Sequence, residues 1–163
     1  MRNTIYTLFA IIFISASCSV IRDMKSSRAE RELMTQENVK KAIESQQILV
    51  KVNRLHTGRG RIMDINPTDN FIIIDRNLTR VSLAYMGRSF TTRPIAAINF
   101  TGQVYSSVVD TKRDGSYDIV LELGQENEKF KVNMIVSKGG YVSLTITNPR
   151  IDFVRYSGNL GTL

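Results

Sequence analysis

The chain has 163 residues, 42% of them hydrophobic, with 10 Gly, 3 Pro and no Trp, which fits one folded domain behind a short leader and excludes fibrous or low-complexity chains. A single Cys closes no intramolecular disulfide, and Cys18 and His56 are too far apart in sequence to suggest a zinc site, so no metal and no cofactor is expected. The net charge of +7 is local: residues 51–93 hold eight basic side chains (Lys51, Arg54, Arg59, Arg61, Arg76, Arg80, Arg88, Arg93) against three acidic ones (Asp64, Asp69, Asp75), whereas residues 94–163 balance at seven and seven.

Taken in order, Arg2 precedes an apolar run from Ile5 to Ile14, about half the 20 or so residues of a spanning helix, which is the pattern of an export signal. Ser15, Ala16 and Ser17 then lead to Cys18, and the four together resemble a bacterial lipoprotein lipobox, with Ser15 where Leu is commonest. That resemblance implies a signal peptide over residues 1–17, cleavage before Cys18, and a lipoprotein carrying diacylglyceryl and palmitate-type chains on Cys18. Two or more chains hold a protein on a membrane where one binds marginally. Ser19-Val20-Ile21, in place of an acidic cluster, favours the outer membrane on its periplasm-facing side over the cell surface.

Residues 18–26 read as a tether and 27–47 as a helix, opened by a Ser27/Glu30 capping box. Its apolar stripe (Ala29, Leu33, Val39, Ile43) is thin and its charges balance, so it stands in solvent rather than seeking the membrane. Its C-terminal half (Val39, Ala42, Ile43) is expected to dock on the sheet.

From residue 48 to the end, period-two alternation predicts strands over Ile48 to His56, Arg61 to Ile65, Phe71 to Asp75, Leu78 to Tyr85, Ile95 to Phe100, Gln103 to Thr111, Ser116 to Leu123, Lys129 to Val136, Tyr141 to Thr147 and Ile151 to Tyr156. In Lys129 to Val136, Phe130, Val132, Met134 and Val136 face one way and Lys129, Lys131 and Asn133 the other. Arg76-Asn77 is expected as a two-residue hairpin with Asn tolerating positive φ, and Thr57-Gly58-Arg59-Gly60 as a turn, its spacing matching no phosphate loop. The fold class is therefore mainly β: an antiparallel barrel-like or two-layer sheet of nine to ten strands over residues 48–163, with one N-terminal helix, closing because so many strands must dispose of their edges.

Tyr85-Met86-Gly87-Arg88-Ser89-Phe90 and Gly140-Tyr141-Val142-Ser143-Leu144-Thr145-Ile146, with Arg150 and the closing Ser157-Gly158, resemble motifs of the family known as domain of unknown function 4251. The resemblance covers residues 39–158 and implies a small exported lipoprotein with no assigned activity; it transfers no catalytic residues.

Within that frame the site candidates are few. His56 is the only candidate general base, no Ser or Cys nucleophile is assigned to it by spacing, and it reads as a surface or edge residue. Glu122, Glu126 and Glu128 flank a hairpin loop without the cadence of a calcium site. Tyr85, Gly87 and Arg88 form the motif with most weight, either as a ligand site or as a structural device; the structural reading, with Gly87 at a bulge and Arg88 ion-paired at a half-buried edge, is the expectation. The Arg-rich stretch reads as a solvated outer face, and the exported compartment argues against nucleic acid as the partner, which leaves an anionic small molecule or an envelope protein. The function expected is a membrane-anchored envelope lipoprotein whose β domain is a binding or structural module; the alternative is a small envelope hydrolase.

Overall fold

The computed structural model describes residues 32–58, 60–91 and 95–161. The expected signal peptide, Cys18, the tether and the start of the helix lie outside these residues, as do Arg59 and Arg93. Helix α1 spans 32–44, and nine strands follow: β1 (Gln47–His56), β2 (Ile62–Asp64), β3 (Phe71–Asp75), β4 (Leu78–Ala84), β5 (Ala97–Thr111), β6 (Tyr117–Gln125), β7 (Glu128–Val136), β8 (Tyr141–Asn148) and β9 (Ile151–Gly161).

All pairings are antiparallel, in the order β2-β1-β3-β4-β5-β6-β7-β8-β9, and β9 returns to β1 from Leu49↔Gly161 to His56↔Arg155. That last pairing decides between a barrel and two layers. Eight strands close on themselves, and β2 is an extra strand beside the last three residues of β1. Closure satisfies backbone groups that an open sheet would leave at two edges.

The alternation read from sequence sets the inside of the barrel. Val50, Val52 and Leu55 of β1, Leu121 and Leu123 of β6, Val132 and Met134 of β7, Leu144 and Ile146 of β8, and Tyr156 of β9 are all at most 2% exposed. The outer positions of β7 and β8 are mostly polar, among them Lys131, Asn133, Ser143, Thr145 and Thr147, with Ile135 and Tyr141 the apolar exceptions. Apolar inside and polar outside is the reverse of a membrane-spanning barrel. Two departures from strict alternation have one cause. The register of β1 against β9 shifts between Val52 and Arg54, and that of β9 against β8 shifts opposite Ile146 and Asn148. Each bulge inserts one residue, so Val52 and Leu55, and likewise Ile151 and Val154, face inward although three residues apart.

The sequence reading divided β5 in two at Thr101-Gly102. In the structure the strand is continuous for 15 residues, because β4 pairs across the division, Arg80 with Thr101 and Thr79 with Gly102, and β6 takes over from Gln103 onward. Helix α1 docks on the barrel mouth through Val39 and Ile43, 2% and 5% exposed, with Ala42 half-buried, while Leu33 and Met34 stay exposed.

Candidate functional site

At the helix end of the barrel β3 and β4 stop short while β5 runs on. β4 pairs with β5 only as far as Leu78↔Gln103, and the Val104 N–H donates to the Asn77 carbonyl at 2.9 Å. Past that point the barrel wall opens into a crevice of about 190 Å³. Its floor is apolar: Ile48 and Ile74 from β1 and β3, Ile119 and Leu121 from β6, and Ile43 from α1. Its rim is polar, made by Gln46, Arg76, Asn77, Tyr105, Ser106 and Ser107.

Two rim residues are conformationally unusual. Gln46 (φ 55°) and Arg76 (φ 54°) are the non-glycine residues with positive φ among those described. Such a backbone costs about 1–2 kcal/mol for a residue with a Cβ. Gln46 follows the end of α1 in the left-handed capping position, its N–H donating to the Ile43 carbonyl at 3.1 Å. Arg76 is the first residue of the β3–β4 hairpin turn, and its N–H donates to the Gln46 carbonyl at 2.9 Å. The left-handed residue of this turn is thus Arg76 and not Asn77, because a type II′ geometry takes positive φ at its first position.

The Tyr85, Gly87, Arg88 motif lies at the opposite end, in the β4–β5 connection. Tyr85 is 3% exposed, and its hydroxyl donates to the Arg88 carbonyl at 2.5 Å. Burial pushes its phenol above the ordinary value. Gly87 lies outside every strand and so is not the expected bulge; it is needed because a Cβ there would overlap the Tyr85 hydroxyl and lie 2.6 Å from Cζ. The Arg88 carbonyl also accepts from the Asp152 N–H, and the Phe90 N–H donates to the Arg150 carbonyl, so the connection is pinned to the β8–β9 turn. Tyr156, fully buried, donates to the Ala84 carbonyl at 2.9 Å just before it. The ion pair expected for Arg88 is corrected: its side chain is exposed, with no ion pair among the described residues. The backbone of Arg88, not its guanidinium, carries the structural role.

The sequence profile of the family described as domain of unknown function DUF4251 matches residues 30–160. The chain belongs to that family. It is similar to the crystal structure of a DUF4251 family protein from Bacteroides eggerthii DSM 20697, with a TM-score of 0.67 and 17% identity over 78% of this chain and 87% of that one. At that identity the likeness speaks to the fold. No curated protein matches the chain.

In this DUF4251 barrel the remaining candidates separate. His56 Nε2 and Ser157 Oγ share a hydrogen bond of 2.7 Å on the outer face. The two lie 101 residues apart, so spacing could not join them; only the return of β9 to β1 does. Ser157 is 3% exposed and its hydroxyl is engaged by His56. Glu122 pairs with Lys129 at 3.1 Å and Glu128 faces Arg150 at 3.9 Å, both at exposed positions worth little. Lys51, Arg54, Arg61, Arg76, Arg80 and Arg88 are exposed, Arg54 beside Asp64 at 3.3 Å and Arg80 over the Phe71 ring. The crevice itself had no sequence signal beyond the run of Ile residues that floors it.

Proposed function

We propose that this chain is a cell-envelope lipoprotein, lipidated at Cys18 and held at the periplasmic side of the outer membrane, whose barrel is a binding module that receives its ligand at the crevice beside α1. The observation that carries the binding role is the coincidence of an apolar floor with a rim holding both left-handed non-glycine residues. Strained backbone clusters at functional sites, although Gln46 also caps α1 and Arg76 also turns the β3–β4 hairpin. The size favours one class of ligand. About 190 Å³ is below the roughly 300–1,000 Å³ of small-molecule sites and suits one or two side chains of an envelope protein better than a free small molecule. Arg76 at the rim adds a preference for an acidic group. The Ser15 to Cys18 lipobox resemblance supports the anchor.

Two measurements test this reading. Metabolic labelling with a fatty-acid analogue is expected to mark the wild-type protein and not Cys18→Ser; label that survives the substitution removes the anchor. A photoreactive amino acid in place of Ser107, at the crevice rim, is expected to give a discrete protein adduct in intact cells, and one in place of Thr145, on the far outer face, is not. Equal results from the two positions remove the crevice as the site.

A further inference from the structure

Beyond Val104, β5 is paired on one side only. Residues 105–111 bond β6, and no strand lies along their other edge among the described residues. The hairpin closes with the Lys112 N–H donating to the Ser116 carbonyl, and antiparallel pairs alternate. Asp110, Val108 and Ser106 therefore turn their backbone groups toward β6. Ser107, Val109 and Thr111 turn theirs toward the open side. Natural edges are blunted by Pro, charged side chains, bulges, short length or a covering helix. This one has seven residues with a bulge at its start, Tyr105, and one charge, Asp110, but neither Pro nor Lys. Helix α1 faces it across an open cleft lined by Lys40, Ile43, Glu44, Val109 and Thr111, and Val108 and Val109 are exposed at 60% and 44%. The crevice opens along the same edge, with Ser107 and Val109 in its lining.

We infer that the free edge of β5 is a docking site for an extended segment of a partner protein, which adds as a strand along Ser107, Val109 and Thr111, sets one apolar side chain on the Ile119 and Leu121 floor, and offers an acidic residue to Arg76. Strand addition takes affinity from main-chain bonds and selectivity from pockets for alternate side chains, and here an unpaired edge and a pocket of side-chain size adjoin. A second copy of this chain fits less well. Pairing two β5 edges about Val109 would bring the partner's Arg113 to the rim that already holds Arg76, and like charges oppose each other there. The inference rests on the binding role proposed for the crevice.

The test uses the full chain in mild detergent and synthetic octapeptides alternating Leu or Val with Thr, one residue replaced by Glu. The expected result is saturable binding by the Glu-bearing peptide, weakened at least tenfold when alternate peptide nitrogens are methylated, which removes donors but keeps the side chains. Val109→Pro should weaken binding by a similar factor with an unchanged melting curve, since the Val109 N–H points away from β6. The inference is overturned if none of the peptides binds, if methylated peptides bind equally well, or if the chain instead forms a dimer that Val109→Pro dissolves. A Ser107 adduct in cells that persists in Val109→Pro would leave the binding role standing and remove the strand-addition mode; absence of any Ser107 adduct in the chain that keeps Val109 removes both.

Discussion

A methyl group added at Gly87 would lie 2.6 Å from Cζ and 2.9 Å from Cε2 of Tyr85, a distance that real contacts do not reach, so either the ring or the connection must move. Gly87→Ala is therefore expected to cost about 1–3 kcal/mol, the range for overpacking a filled site. Tyr85→Phe should cost about 1 kcal/mol by leaving the Arg88 carbonyl with one donor fewer. Arg88→Ala should stay within about 0.5 kcal/mol of wild type, because its side chain is exposed. Melting curves of the three variants decide the matter: a fall for Arg88→Ala as large as that for Gly87→Ala would return the guanidinium to the structural role. If the Arg88→Ala curve overlays wild type, the charge is free for contacts outside the chain, while Tyr85 and Gly87 hold the loop.

The elements were mostly legible because each strand carries its own alternation, and seven of the nine fall within a residue or two of the predicted limits. What was not legible depends on neighbours. Gly102 looks like a break in isolation but pairs with Thr79 of β4 on one side and lies against the Gly124 backbone of β6 on the other, where a Cβ would not fit. The end of β9 runs past its alternating part because β1 supplies partners there. The choice between barrel and two layers turned on one long-range pairing, and the His56–Ser157 contact follows from it, so no local pattern could reveal either. The docking of Val39, Ala42 and Ile43 was readable because the other positions from Thr35 to Glu44 are polar. It leads to a prediction about the element: Ile43→Ala, which empties a 5% exposed site, should destabilise by about 2–5 kcal/mol. Leu33→Ala, 62% exposed on the same helix, should change stability by less than about 0.5 kcal/mol. Equal effects in denaturant titrations would mean that α1 does not dock through its C-terminal half.

For the whole molecule, the two tyrosines that tie the β4–β5 connection to the barrel make stability depend on alkaline pH. Burial pushes the phenols of Tyr156 and Tyr85 up, and the proximity of Tyr85 raises Tyr156 further. In the unfolded chain both lose their protons near pH 10. Above that pH the folded barrel binds more protons than the unfolded chain, so stability is fully present below about pH 10 and falls as pH rises toward the folded values. Fully buried Tyr156 sets the slope, about 1.4 kcal/mol per pH unit for one proton. Lys112, whose pKa is raised by its hydrogen bond to Asp118, works in the same direction, so the wild-type profile alone does not isolate the tyrosines. Tyr156→Phe does. It should lower stability at pH 7 by about 1 kcal/mol through the lost bond to the Ala84 carbonyl, and it should flatten the decline between about pH 10 and 12 relative to wild type. Melting temperatures measured across that interval for both proteins check the sign and the size. Parallel declines would mean that Tyr156 ionises as readily in the barrel as in the unfolded chain, and that its hydroxyl is not sealed beneath the β4–β5 connection.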